Sequence, residues 1–144
     1  MFWLQVYHAD GLRVDGVSSM LYLNFGVDDP RQKVFNKYGD EGNLAAISLL
    51  QEINAAVGKY VPGASTYAEE STAWPLVTYP PDKGGLGFHY KWDMGWMNDT
   101  LRYMSKDFDE RRERHGLLTF SMVYAFSENY LLPLSHDEVV HGKR

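Results

Sequence analysis

Apolar and polar positions alternate only in short runs along this chain, and longer stretches of helical spacing or of no spacing separate them. Residues 2–8 read as a helix, and Asp10-Gly11 marks a turn into the alternating run Leu12-Arg13-Val14-Asp15. Residues 24–43 are rich in Asp, Asn, Gly and Pro without a sustained period, which predicts a long excursion of the kind that commonly carries function. From there Leu44, Ile47, Leu50, Ile53 and Val57 fall at helical spacing, with Asn43 as cap and Pro62-Gly63 as stop. Ser65-Thr66-Tyr67-Ala68 then has strand character and ends in Glu69-Glu70. Strand, loop, helix, strand is the grammar of parallel β/α folds.

Residues 74–87 are again loop, with three prolines and three glycines, and a short strand is predicted at 88–92. Helices are predicted at 97–104 and 117–126, on either side of a mixed-charge cluster at 107–114. Residues 130–135 are apolar and precede His136-Asp137-Glu138, the pattern of a buried strand with a polar end. There is no internal repeat, low-complexity segment or Pro/Ser linker. Residue 2 enters a helix without a lead-in and the chain stops just after that polar strand end, so the expectation is a piece of a larger domain.

Composition narrows the functional classes. At 144 residues the chain has the size and apolar content of one domain or part of one. A formal net charge of −5, with both signs interspersed, provides no field for gripping a phosphate backbone, so nucleic acid is not the expected partner. Without cysteine there is no disulfide framework, thiolate metal site or thiol catalysis, while the redox compartment stays open. No apolar run is long enough to span a bilayer, and no membrane partner is expected. Ten tyrosines, seven phenylalanines and four tryptophans, crowded between 88 and 96, are first of all core residues. Tyr67, Trp74, Trp92 and Trp96 are the candidates among them for sugar platforms.

The candidate chemistry lies at the strand ends. Asp15, Glu69 and Asp137 each follow a predicted strand, and ligand sites of parallel β/α folds gather at the C-terminal ends of strands. Neighbouring strands stand about 4.8 Å apart, and the two carboxyls of a retaining glycosidase about 5 to 5.5 Å, so Asp15 and Glu69 on consecutive strands suit one glycosidic bond. Strand alternation puts Arg13 on the face of Asp15, where its charge favours an ionised nucleophile; a structural Arg–Asp pair fits the same pattern. Glu69 and Glu70 point opposite ways if the strand persists, and only one of them faces a substrate. The residues alone do not say which. An acid there, beside an anion and away from water, has its pKa raised and is suited to protonate a leaving oxygen.

Other motifs give less. His136 and His141 stand five apart, about 140° around an ideal helix, which does not match the four-residue spacing of a zinc-binding helix, and no metal site is expected. Gly84-Gly85-Leu86-Gly87 lacks the Lys of a phosphate loop and the spacing of a dinucleotide fingerprint, and reads as a tight turn. There is no nucleophile elbow.

Asp10-Gly11-Leu12-Arg13-Val14-Asp15-Gly16-Val17 resembles the fourth-strand motif of the α-amylase superfamily, and Leu134-Ser135-His136-Asp137-Glu138 resembles its seventh-strand motif. Ala68-Glu69-Glu70-Ser71-Thr72-Ala73-Trp74-Pro75 narrows the likeness to bacterial-type glycogen branching enzymes. So do the segments from Gly84 to Phe88, from Lys91 to Thr100, and from Ser127 through Val140 to His141, Gly142 and Lys143. The resemblance runs along nearly the whole chain and implies an α/β fold, part of a (β/α)8 TIM barrel covering approximately strands 4 to 7. It implies that residues 1–144 all belong to that catalytic barrel.

The same resemblance implies roles. Asp15 is expected to be the nucleophile, Glu69 the general acid/base and Asp137 the third carboxylate, with Arg13 and His136 binding substrate and Glu70 a structural or orienting neighbour. The implied reaction cleaves an α-1,4-glucan linkage and remakes the chain as an α-1,6 branch, with glycogen or amylose as donor and acceptor, no cofactor and a cytoplasmic setting. The superfamily's third-strand motif would lie before Met1 and its eighth strand after Arg144. An open partial barrel exposes strand edges, so residues 1–144 are expected to be neither stable nor active alone. Rival readings are a glucan hydrolase or trehalose-releasing enzyme of the same superfamily, and a non-catalytic glucan-binding module.

Overall fold

In the computed structural model, which describes residues 1–140, the chain is α/β, with four short strands forming one all-parallel sheet in sequence order. The strands are β1 (Gly11–Val14), β2 (Ser65–Ala68), β3 (Tyr90–Trp92) and β4 (Tyr130–Leu131). Helix α1 (Phe2–Gln5) precedes the sheet; α2 (Val17–Leu21) and α3 (Leu44–Tyr60) connect β1 to β2. Between β3 and β4 run α4 (Met94–Met104), α5 (Phe108–Arg111) and α6 (Gly116–Thr119), and α7 (His136–Val140) closes the described chain. Sequential parallel strands, two of the three links between them helical, suit part of a β/α barrel.

Local chemistry sets these boundaries. Asn43 accepts a hydrogen bond from the Ala46 amide and caps α3, as its sequence predicts, while Pro62 and Gly63 follow its end. Asp93 caps α4 in the same way through the Trp96 amide, so that helix starts at Met94, ahead of the predicted 97. Gly16, at φ 56°, turns the chain out of β1 immediately after Asp15 into α2, a conformation that costs glycine little. In the glycine-rich loop, a Cβ on Gly85 would stand 2.0 Å from the Tyr79 carbonyl oxygen. That turn therefore exists because of glycine.

The main core lies between one face of the sheet, the inward sides of α2 and α3, and the loop before β3. Val17, Leu21, Leu50, Ala68, Val77, Leu86 and Phe88 are buried together there. The face of α3 agrees with its sequence periodicity at Leu50 and Val57, but Leu44 is exposed and Asn54 is buried instead, donating to the Leu86 carbonyl at 2.8 Å. The long excursion at 24–43 is present and is tied down by side chains: Asn24 pairs with the Val34 backbone, and Asn36 with Asp40 and Gly42.

Three expectations need correction. The predicted helix at 117–126 is α6 followed by a 3-10 turn at Phe120–Val123. Met122, Val123 and Phe126 are exposed, so nothing they bury sustains a longer helix. The charged cluster, for which no element is predicted, forms α5 over part of its length. Finally, the strand at 130–135 is only Tyr130–Leu131, with Leu131, Leu132 and Leu134 exposed rather than buried.

Candidate active site

Register explains how the candidate residues meet. Arg13 pairs with Tyr67 and Val14 with Ala68, so β1 and β2 end level with each other, and Asp15 and Glu69 leave the sheet side by side. The Glu69 amide donates to the Val14 carbonyl, and the Val17 amide donates to the Glu69 carbonyl, which fixes the backbone on both sides of the pair. Arg13 then draws the carboxylates together: Nη2 is 2.7 Å from Asp15 Oδ1 and Nη1 is 3.3 Å from Glu69 Oε2. One planar guanidinium thus faces both, a geometry lysine does not offer.

The two carboxyls differ in setting. The Asp15 side chain is 77% exposed and that of Glu69 only 24%. Glu69 Oε2 is closed off from water and accepts no well-directed hydrogen bond, with the Arg13 charge as its compensation. Burial, then hydrogen bonding with Asp15 and the charge of that anion, push the Glu69 carboxyl above the ordinary range, against the opposing pull of Arg13. Hydrogen bonding with Glu69, and next the Arg13 charge, hold Asp15 below the ordinary range. The arrangement shifts the balance toward a protonated Glu69 and an ionised Asp15. It is able to supply an acid and a nucleophile at one point.

Glu70 takes the opposite face. Its side chain is fully buried, with Oε2 2.6 Å from Lys91 Nζ and Oε1 accepting from Ser18 Oγ at 2.7 Å, the Thr72 amide at 2.8 Å and the Thr72 hydroxyl. Lys91 also donates to the Thr72 carbonyl at 3.0 Å. Sequence reasoning did not find this buried pair. The available signal was Lys91 itself, a charged residue whose period-2 phase sets it opposite Tyr90 and Trp92.

Asp137 sits differently from the expectation. It lies in the first turn of α7 rather than at a strand end, exposed, with the His136 ring 3.3 Å away. Among the described residues, no hydrogen bond or ion pair joins His136 or Asp137 to Arg13, Asp15 or Glu69. His141, the other half of the histidine pair weighed for metal binding, lies outside the described residues, among which no group of three His, Asp or Glu is arranged to hold a metal ion.

The aromatic candidates are shared between roles. Tyr67 stacks on Tyr90 with ring centres 5.4 Å apart, and Trp74 meets Tyr22 edge to face. Trp92 lies under Arg13. A cavity of about 500 Å³ beside the sheet is lined by Thr72, Trp74, Asp93, Phe120, Tyr124 and Glu128, and not by Asp15 or Glu69. Within it Tyr124 donates to Asp93 at 3.0 Å. Glu128 accepts from the Val77 and Thr78 amides at 2.8 Å and anchors the loop before β3.

No family model matches the chain. Among curated proteins it is similar to the 1,4-alpha-glucan branching enzyme GlgB of Oceanobacillus iheyensis, 58% identical over all 144 residues and 23% of that protein. Its counterpart from Halothermothrix orenii is 59% identical over 144 residues and 23% of its length. That from Bordetella parapertussis is 60% identical over 141 residues, 98% of this chain and 19% of the relative. The chain therefore spans about a fifth of the length of the relatives it matches. With identity near 58% from end to end, the chain is similar over its whole length to one stretch of the 1,4-alpha-glucan branching enzymes GlgB.

Proposed function

We propose that residues 1–144 are part of the catalytic barrel of a 1,4-α-glucan branching enzyme, supplying approximately strands 4 to 7 of an α-amylase-type (β/α)8 fold. The observation that carries the proposal is the convergence of Asp15 and Glu69 on the single guanidinium of Arg13, with Glu70 turned to the other side of the sheet. Two carboxyls held by the two ends of one guanidinium, at 2.7 and 3.3 Å, suit the narrow spacing of a retaining double displacement rather than the wider inverting one.

In this mechanism Asp15 attacks the anomeric carbon of an α-1,4 linkage while Glu69 passes its proton to the departing glycosidic oxygen. A glycosyl ester on Asp15 results. The Glu69 carboxylate then takes the proton from the 6-hydroxyl of an acceptor chain, whose oxygen attacks the same carbon and expels Asp15. Two inversions leave an α-1,6 branch with retained configuration. The burial that raises Glu69 favours its acid form in the first step, and the ester, by removing the Asp15 charge, makes it a readier base in the second. Asp137 supports the transition state through sugar hydroxyls, and Arg13 and His136 hold the substrate. The chemistry needs no cofactor. Donor and acceptor are α-1,4-glucans, and the enzyme is cytoplasmic.

The test uses the full-length enzyme with amylose. New α-1,6 linkages without matching reducing ends are expected, whereas reducing ends alone make it a hydrolase. Turnover that survives Asp15→Ala removes the catalytic assignment and leaves a glucan-binding module. Expressed alone, residues 1–144 are expected to show neither a cooperative melt nor branching.

A further inference from the structure

The β3 residue Trp92 stands where the sheet brings the two carboxyl-bearing strands and their arginine together. Tyr67 pairs with Tyr90 and Ala68 with Lys91, so one step further brings Glu69 level with Trp92. Arg13 starts on β1, on the far side of β2, yet its guanidinium carbon lies 4.6 Å from the centre of the Trp92 ring. The arginine therefore spans all three strands, with its charged end over Glu69 and an indole beneath it. Within ion-pair reach of Arg13, the described residues offer Asp15 and Glu69. These two salt bridges fix the two ends of the fork but leave the guanidinium plane free to tilt. A ring against that plane removes the remaining freedom, and an indole face attracts the cation as well.

We infer that Trp92 is a positioning residue that acts through Arg13, holding the guanidinium in the fork between Asp15 and Glu69. The inference rests on the proposed function, since it concerns the same carboxyl pair. Its consequence is electrostatic. Arg13 favours the anionic form of both carboxyls, so an arginine that has lost its platform protects neither charge as well. Both limbs of the pH–activity profile then move to higher pH, the acidic limb through Asp15 and the alkaline limb through Glu69.

The experiment compares Trp92→Leu and Trp92→Phe in the full-length enzyme, each checked for an unaltered circular dichroism spectrum. Trp92→Leu is expected to lower kcat by about tenfold, to leave KM within about twofold and to move both pH limbs upward, while Trp92→Phe, which keeps an aromatic face, restores most of kcat and the limbs. A raised KM with unchanged kcat and pH limbs overturns the inference, because Trp92 then serves as a sugar platform. If Trp92→Leu does not fold, Trp92→Phe and Trp92→Tyr carry the test, and a displaced limb in both also overturns it. Parallel Asp15→Asn and Glu69→Gln variants separate this failure from the larger one. If these remain active, the proposed function falls; if they are inactive while Trp92→Leu keeps normal pH limbs, only the inference about Trp92 falls.

Discussion

Glu69 and Glu70 are neighbours in sequence, yet the two faces of the sheet at the end of β2 give the same side chain opposite conditions. On one face Glu69 is part of an open, under-satisfied cluster, with an oxygen that accepts no directed hydrogen bond and a guanidinium shared with Asp15. On the other, Glu70 is buried but receives donors from Ser18, Thr72 and Lys91. In the first arrangement burial and the neighbouring Asp15 favour the protonated carboxyl. The second is a satisfied network, and a buried ion pair costs least when hydrogen bonds satisfy both partners. Burial by itself therefore does not distinguish the two carboxyls; unmet hydrogen-bonding capacity does.

The largest effect that tests this contrast is on activity. Glu69→Gln in the full-length enzyme is expected to lower branching by about 10²- to 10⁴-fold without altering the melting temperature, since it removes the transferable proton but keeps the shape. Normal branching by that variant would place the acid elsewhere.

Next in size is the other face. Glu70→Leu leaves Lys91 buried and unpaired, which is expected to destabilise by about 3–5 kcal/mol and to appear as a clear drop in melting temperature. Replacing both partners, Glu70→Leu with Lys91→Met, should recover much of that loss, because no charge is then stranded. A single variant that melts with wild type, or a double variant worse than both singles, would dissolve the contrast between the faces.

A smaller change tests the electrostatics. The proposed mechanism needs Asp15 ionised and Glu69 protonated, and the first is held low while the second is pushed high. The profile should therefore be a bell whose acidic limb lies below the ordinary aspartate range and whose alkaline limb lies above the ordinary glutamate range. The two limbs belong to the coupled pair rather than to either residue alone. Arg13→Gln removes the charge that favours both anions, and both limbs should rise. A fall in either limb contradicts the assigned role of the guanidinium.

How much of this was legible in the sequence depends on what each residue packs against. The cap at Asn43, the end of α3, the alternation at Arg13 and Asp15, and the opposition of Glu69 and Glu70 are local rules, and each is present in the fold. Partnerships across strands were hidden: nothing in a single sequence links Ser18 to Glu70 or Arg13 to Trp92, because register decides them. The C-terminal third was overread. Its apolar spacing at 117–126 and 130–135 suggested a helix and a buried strand, but Phe126 is 97% exposed and Leu134 58%. Periodicity announces a face that can be buried, and a regular element forms only where something covers that face.

The smallest expected effect asks how independent the two faces are. Asn43 caps α3, which covers the buried face, and it touches neither carboxyl of the open one. Removing the cap leaves the Ala46 amide without its partner and should cost about 1 kcal/mol, felt first as faster hydrogen exchange in the opening turn of α3. Leu50 and Val57 lie further along the helix and stay packed, so Ala68 and the end of β2 should keep their position. Asn43→Ala is therefore expected to loosen that turn while both pH limbs of branching stay where they are. A limb that moves with the cap would mean that the outer layer sets the geometry of the carboxyl pair. The division of labour across β2 would then be a coupling instead.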